Sequence, residues 1–387
     1  SGKTLPVVRN WQGSTLQPES IRSDLLYNML SDPGMMDNQV IAVRETIVKN
    51  GYPGVIIDYR GVDPQPTVMA DFVHMISRLA KELHDNGKTI AVRVEAAKPV
   101  SADRWDTGGY DWRALGKEVD TLIIPAPIDP RAYQPAGEMD ALMDWAVSQV
   151  DRTKIQVEFS GQSIERSGVY LLPKGYKQAL QPLAQKVKLE SVDNQTTVTL
   201  DNPTLMTNVT WDATIGAYTY KYIDAQGLER TVYIENEGSF EHKLSLIQKY
   251  NIRNVTIEVP TDGDIDPNLW DVLLQFQQGA KLQAEQTPIT VAYAVYGPDG
   301  AKISSVNATL DNPTMPIDVA ATGDVKVAAQ LIDAKGNPIT QAFSSVAKAA
   351  KAAVSAAQPE STEKVADKPA EAAQAATMRK MLVAMAK

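Results

Sequence analysis

The feature that most constrains this chain is a regular alternation over its first 280 residues, where short apolar runs are followed by helical patterns. Short apolar runs alternating with helical patterns suit parallel βα units. The runs fall at residues 4–9, 55–57, 89–95, 121–124, 154–159 and 255–259. Helices are expected around residues 21–30, 39–49, 112–119, 139–150, 240–250 and 269–277. One more, between the second and third runs, has the clearest signature. There Phe72, Ile76, Leu79 and Leu83 recur at helical spacing, and Asn86-Gly87 supplies the stop. The order of elements implies an α/β fold.

Two β-rich regions interrupt or follow this pattern. The first is an insertion at about residues 187–236, where Tyr218-Thr219-Tyr220-Lys221-Tyr222 alternates as a strand does and Asp224 to Gly227 form a turn. The second begins near residue 287, with strands expected at 289–296, 306–310 and 325–332 and Gly-containing turns at 297–300 and 334–337. It predicts a small antiparallel β-domain, sandwich-like and Ig-like in kind. Residues 199–204 and 309–314 both read Thr-Leu-Asp-Asn-Pro-Thr, and each precedes an Ile-Asp-Ala-x-Gly turn, at Ile223 and Ile332. Duplication of a β-unit and repeated use of one turn chemistry both account for this echo. After residue 344 the composition shifts to Ala, Lys, Glu, Gln and Pro, which predicts a linker over 344–376 and a short amphipathic helix at 378–387 that docks on a partner. The expected layout is therefore 1–280, 287–343 and 344–387.

Composition removes several function classes. A net charge of −9 and a pI near 5 argue against nucleic acid as a partner. No apolar run approaches the ~20 residues of a membrane span. The chain has no cysteine, which excludes disulfides, thiolate nucleophiles and Cys-based metal sites. His74, His84 and His242 are scattered without ligand spacing and read as structural. The acids Asp262, Asp264 and Asp266 alternate as in a calcium loop but lack its closing glutamate, so Asp266-Pro267 reads as a helix N-cap and first-turn proline. No metal or cofactor is expected.

The segment Gly51-Tyr52-Pro53-Gly54-Val55-Ile56-Ile57-Asp58-Tyr59-Arg60-Gly61-Val62 resembles the fourth barrel strand of family 18 glycoside hydrolases, closest to their spore-germination, cell-wall branch. Residues 110–120 are similar to the helix leading into the sixth strand, 222–234 and 239–244 to the β-rich insertion and following helix, and 250–255 with 266–270 to the eighth strand and closing helix. The resemblance spans about residues 4–276. It implies a partial TIM (β/α)8 barrel in which strands three to eight are visible and the first two are missing. An open barrel leaves unpaired edges, so an upstream segment, another subunit or a remodelled barrel is expected to close it.

The family motif is Asp-x-x-Asp-x-Asp-x-Glu, whose glutamate protonates the leaving oxygen while the substrate's N-acetyl group attacks. On the resemblance Arg60 holds the glutamate position, and a guanidinium cannot serve as that acid. Asp58 matches the orienting aspartate, and Pro53 and Ile56 hold the two earlier acid positions. Pro125-Ala126-Pro127 stands where the sixth strand would carry a tyrosine, so Pro127 is a degenerate position. Glu258 falls at the tryptophan of strand eight. Family-type hydrolysis is not expected.

Charges remain at the strand ends: Arg9, Asp58, Arg60, Arg93, Glu95, Glu158 and Glu258. In a barrel that face binds ligands. The last six are either a polar ligand site or a set of salt bridges, with Arg60 neutralising Asp58 and Arg93 or Arg9 the glutamates. Trp11, Tyr59, Trp105 and Tyr133 are candidates to stack on sugar rings or to cover the barrel mouth. The function expected is that of a non-catalytic structural or assembly module, extracellular or at a bacterial cell surface, with protein subunits or a cell-wall glycan as partners. A glycan-binding module for peptidoglycan or chitin is the first alternative. The second is a glycoside hydrolase whose acid has moved to Glu95 or Glu158.

Overall fold

The computed structural model describes residues 4–101, 103–192, 195–283, 285–317 and 323–349. Six parallel strands form its central sheet: Val7–Arg9, Gly54–Asp58, Thr89–Arg93, Thr121–Pro125, Ile155–Ser160 and Asn254–Glu258. Each lies beside its predecessor in the chain, as in part of a barrel wall. These are the six apolar runs of the sequence. Val55, Ile57, Val92, Leu122, Ile124, Ile155 and Val157 are fully buried. Among the described residues Val7–Arg9 and Asn254–Glu258 remain edges, and Val7 is exposed.

The helix Pro66–His84 shows how the outer layer is built. Proline occupies its first turn, where a missing N–H costs nothing. Val68, Phe72, Met75, Ile76, Leu79, Ala80 and Leu83 form its buried stripe, and each large member contributes about 1.5–3 kcal/mol over exposure. Gly87 then adopts φ 67°, the left-handed conformation that lets Lys88 N donate back to Leu83 O at 2.9 Å. Helices Ser23–Ser31 and Pro33–Lys49 precede the second strand, and Trp112–Glu118, Glu138–Gln149, Glu237–Gln248 and Leu269–Gln277 fall where periodicity places them. No helix of the described residues is long and apolar enough to cross a membrane.

The β-rich regions differ from expectation. The excursion starts at Ser163–Ser167, directly after the fifth strand and well before residue 187. With Tyr170–Lys174, Glu229–Ile234, Ala217–Ile223 and Thr210–Asp212 this strand forms a five-stranded antiparallel sheet. Past residue 287 a four-stranded sheet contains Lys302–Thr309, Thr290–Tyr296, Gly323–Ile332 and Phe343–Ala349. The last of these lies where the linker was expected to begin. The remainder of that linker and the expected helix at 378–387 lie outside the described residues.

The expected cut at residue 287 passes through one apolar core. Tyr218, Tyr220, Val232 and Ile234 of the insertion pack in the same cluster as Val291, Tyr293, Val327 and Leu331. Strand Met315–Ile317 pairs with Gln195–Asp201, tying the two regions together. The echoing segments meet there, Thr314 Oγ1 donating to Thr199 Oγ1 at 2.9 Å. Their following turns are alike in detail. Asp224 Oδ1 accepts from Gln226 N and Leu228 N, Asp333 Oδ1 from Lys335 N and Asn337 N, and Gly227 and Gly336 take φ 77° and 83°.

The acids at 262–266 serve as backbone caps. Asp264 accepts from Lys177 N at 3.0 Å, and Asp266 accepts from Glu237 N and Asn268 N. The N-cap of the last helix is Asn268 instead of Asp266.

Candidate active site

Parallel pairing brings the carboxyl ends of the strands to one rim. Arg9 is level with Asp58, Pro125 with Glu158, and Ser160 with Glu258. Glu158 and Glu258 therefore differ by two positions in register, which turns both to the same face.

Two arginines organise the rim. Arg93 Nε lies 2.9 and 3.1 Å from the oxygens of Glu158, and its Nη2 lies 2.6 Å from Glu158 Oε1. Its Nη1 is 3.8 Å from Asp58 Oδ1. Burial works against the Arg93 charge, but Glu158 and Asp58 together hold its pKa above the ordinary value. Arg60 faces Asp58 side-on, with Nε 3.1 Å from Oδ1 and Nη2 3.3 Å from Oδ2. Asp58, Arg60 and Arg93 are all buried. The pairing of Arg60 with Asp58 and of Arg93 with a glutamate follows the sequence expectation; Arg9 does not follow it. Arg9 is exposed, lies over the Trp11 ring at 4.5 Å and reaches Gly13 O.

Arg60 also reaches a hairpin formed by Gln12–Gly13 and Pro18–Glu19, which the sequence reading missed. Its Nη1 donates to Thr15 O at 2.8 Å, and its Cζ lies 4.0 Å from the centre of the Trp11 ring. Trp11 Nε1 donates to Asp58 O, while Asn10 brackets the Arg60 backbone by accepting from its N and donating to its O. Gly13, at φ 82°, is the one available signal, since any other side chain there would meet Gln17 O.

Glu95 accepts from Gly61 N at 3.0 Å and lies 3.1 Å from Tyr110 Oη, which donates to Tyr59 O. Burial, reinforced by Glu95, raises the Tyr110 phenol well above its ordinary pKa. Glu258 is different. Its Oε2 is buried and has no hydrogen-bond partner. Burial pushes its carboxyl above the ordinary 4.5, Glu158 adds to the shift, and Arg93 and Arg60 oppose it. Two neighbouring carboxyls with opposed environments are the usual physical basis for dividing acid and charge-stabilising roles.

These groups open on a cavity of about 420 Å³ lined by Arg60, Arg93, Glu95, Glu158, Glu258 and Pro127, among others. Lys98, Asp106, Ser160 and the hairpin residues Thr15, Leu16 and Pro18 complete it, and none of them was singled out from sequence. The four aromatic candidates do not line it. Trp11 lies under two guanidiniums, Tyr59 Oη accepts from Gln39, Trp105 packs toward Trp145, and Tyr133 Oη donates to Pro127 O. All four rings are buried, so the stacking role expected of them is not available.

No model of a known protein family matches the chain. It is 21% identical over 281 residues to a cortical fragment-lytic enzyme of Bacillus subtilis (strain 168), covering 70% of this chain and 58% of that protein. The chain spans between 53% and 61% of the length of the curated relatives it matches. A chitinase of Chromobacterium violaceum ATCC 12472 aligns with TM-score 0.53 and 22% identity, over 71% of this chain and 80% of that one. The spore cortex-lytic enzyme SleL of Bacillus cereus aligns with TM-score 0.53 and 15% identity, over 73% and 61%. The expectation of a non-catalytic structural or assembly protein is corrected by the curated relatives, which are named as cortical fragment-lytic enzymes. In its six-stranded parallel sheet and in the solved structures it aligns with, this chain has a chitinase-like fold.

Proposed function

We propose that the chain is a glycan-cleaving enzyme acting on an N-acetylated cell-wall glycan, with Glu258 as the proton donor. The observation that carries this reading is the Glu258 carboxyl, desolvated beside Glu158, with a buried unpartnered oxygen at the cavity. A donor must hold a proton near neutral pH, and burial beside a second carboxylate favours that. The other carboxyls are engaged. Arg60 grips Asp58, Arg93 grips Glu158, and Glu95 accepts from Gly61 N. Neither Glu95 nor Glu158, the positions considered from sequence, is as free to donate.

In this reading Glu258 protonates the glycosidic oxygen as its bond to the sugar carbon breaks. Glu158, fixed by Arg93 at the cavity wall, faces the positive charge that develops on the sugar. Water adds to that carbon, and its proton returns to Glu258. Pro127 and Leu16 supply apolar walls in place of an aromatic floor. A cell-wall substrate places the protein outside the cell or at its surface. The edge strand Val7–Arg9 is the place where a strand from an upstream segment or another subunit would pair.

The test is release of reducing ends from purified peptidoglycan fragments and from chitin oligosaccharides, comparing the chain with Glu258→Gln. Activity on one substrate that the substitution abolishes supports the reading. No release from either, or release untouched by Glu258→Gln, refutes it.

A further inference from the structure

Arg60 is more than the partner of Asp58. The segment from Asn10 to Thr15 surrounds it on several sides: Asn10 holds its backbone, Trp11 places its ring under the guanidinium, and Thr15 O accepts from its Nη1. The same guanidinium is anchored to the strand end by two hydrogen bonds to Asp58. Thr15, Leu16 and Pro18 of the hairpin line the cavity. Few other bonds hold the hairpin tip. Its two short strands pair only Gln12 with Glu19 and Gly13 with Pro18, and Ser20, at its exit, sits at φ 49° without being glycine.

We infer that Arg60 is a positioning residue, a pin whose planar fork joins the strand end at Asp58 to the hairpin of residues 12–19 and holds that hairpin over the cavity as one wall of the binding cleft. The geometry requires a guanidinium. Two nitrogens face the carboxylate, a third is left for the Thr15 carbonyl, and the flat group stacks on the indole. An ammonium is a compact charge that satisfies Asp58 or Thr15 at one position, without the fork that joins both. The consequence for turnover rests on the reading of this cavity as the glycan site; the pinning itself does not.

The experiment is hydrogen exchange on the full chain, with Arg60→Met and Arg60→Lys compared to the unmodified protein. Arg60→Met should speed exchange of the hairpin amide of Gln17, whose N donates to Ser14 O, by at least about tenfold, while amides of the helix Pro66–His84 stay protected. Arg60→Lys retains the positive charge beside Asp58, so it tests the fork even where Arg60→Met fails to fold; the hairpin should still exchange about tenfold faster in it. Unchanged hairpin exchange in Arg60→Lys overturns the pin. On glycan, Arg60→Lys should raise KM by about tenfold with kcat within about threefold, because the cleft wall is loosened while Glu258 is untouched. Faster exchange with an unchanged KM supports the pin and counts against the cavity as the glycan site, so the two readings fail separately.

Discussion

Glu158 and Glu258 look into one cavity from neighbouring strands, yet Arg93 clasps Glu158 through contacts of 2.6 to 3.1 Å and leaves Glu258 Oε2 without a partner. The asymmetry is set by register. Two positions separate the carboxyls along the strand pair, and the guanidinium fork is spent on one of them.

Glu258→Gln is expected to lower kcat by about 10²- to 10⁴-fold, the usual contribution of a positioned acid, while KM changes little. Steady-state release of reducing ends from peptidoglycan fragments measures both. A loss that appears in KM alone would assign Glu258 to binding.

The pH profile follows from the same carboxyl. A donor works while protonated, so the rate should fall as pH rises through the Glu258 pKa, which lies above the ordinary 4.5. Glu158→Gln removes the neighbouring charge and frees Arg93, both of which lower that pKa. The falling limb of kcat/KM should therefore move to lower pH in this variant; a limb that stays in place contradicts the assignment.

Stability should carry the matching signature. The folded pKa of Glu258 exceeds its unfolded one, so its contribution is full below about pH 4.5 and is lost as pH rises through the folded value. Denaturant titrations across that window should show a smaller pH slope for Glu258→Gln than for the unmodified chain.

Arg93→Met strands the half-buried Glu158 carboxylate, while Asp58 keeps its two hydrogen bonds from Arg60. Removing one partner of a buried pair typically costs about 3–5 kcal/mol, far more than a surface pair. Urea unfolding measures the loss, and adding Glu158→Gln should recover part of it because the orphaned charge disappears.

Leu331→Ala probes the shared second core. Leu331 is fully buried, and truncating such a side chain costs about 2–5 kcal/mol. Hydrogen exchange should loosen the hairpin of Lys186–Val192 and Gln195–Asp201 as well as the sheet holding Leu331, since both pack in one cluster. Loosening confined to residues beyond 287 would separate the two regions.

The six sheet strands and their helices were legible because each announces itself locally. Val55, Ile56 and Ile57 form an unbroken apolar run, and Phe72 to Leu83 keep helical spacing. The Asp58–Arg60 pair was legible too, as two residues of one strand end. The particular role of Glu258 was not. It entered as a departure at a tryptophan position and as one of several strand-end charges, and the burial and the Glu158 charge that raise its pKa come from a fold that brings together residues a hundred apart in sequence. Strand Phe343–Ala349 escaped notice because its Ala, Ser and Lys content resembles the tail beyond it. The common core escaped because alternation in Thr290–Tyr296 marks a buried face without naming what covers it.

The common core also has a consequence for the order of events during synthesis. The first five strands of the parallel sheet follow one another in the chain with no other large sheet between them, so their contacts close as each strand emerges from the ribosome, and the sixth joins after the insertion. The insertion cannot finish that way. The face carrying Tyr218, Tyr220 and Val232 waits for Val291, Val327 and Leu331, which come later in the chain. A nascent chain halted before residue 287 should hold a folded sheet and an uncovered aromatic face, a surface for a chaperone to guard until the last strands arrive.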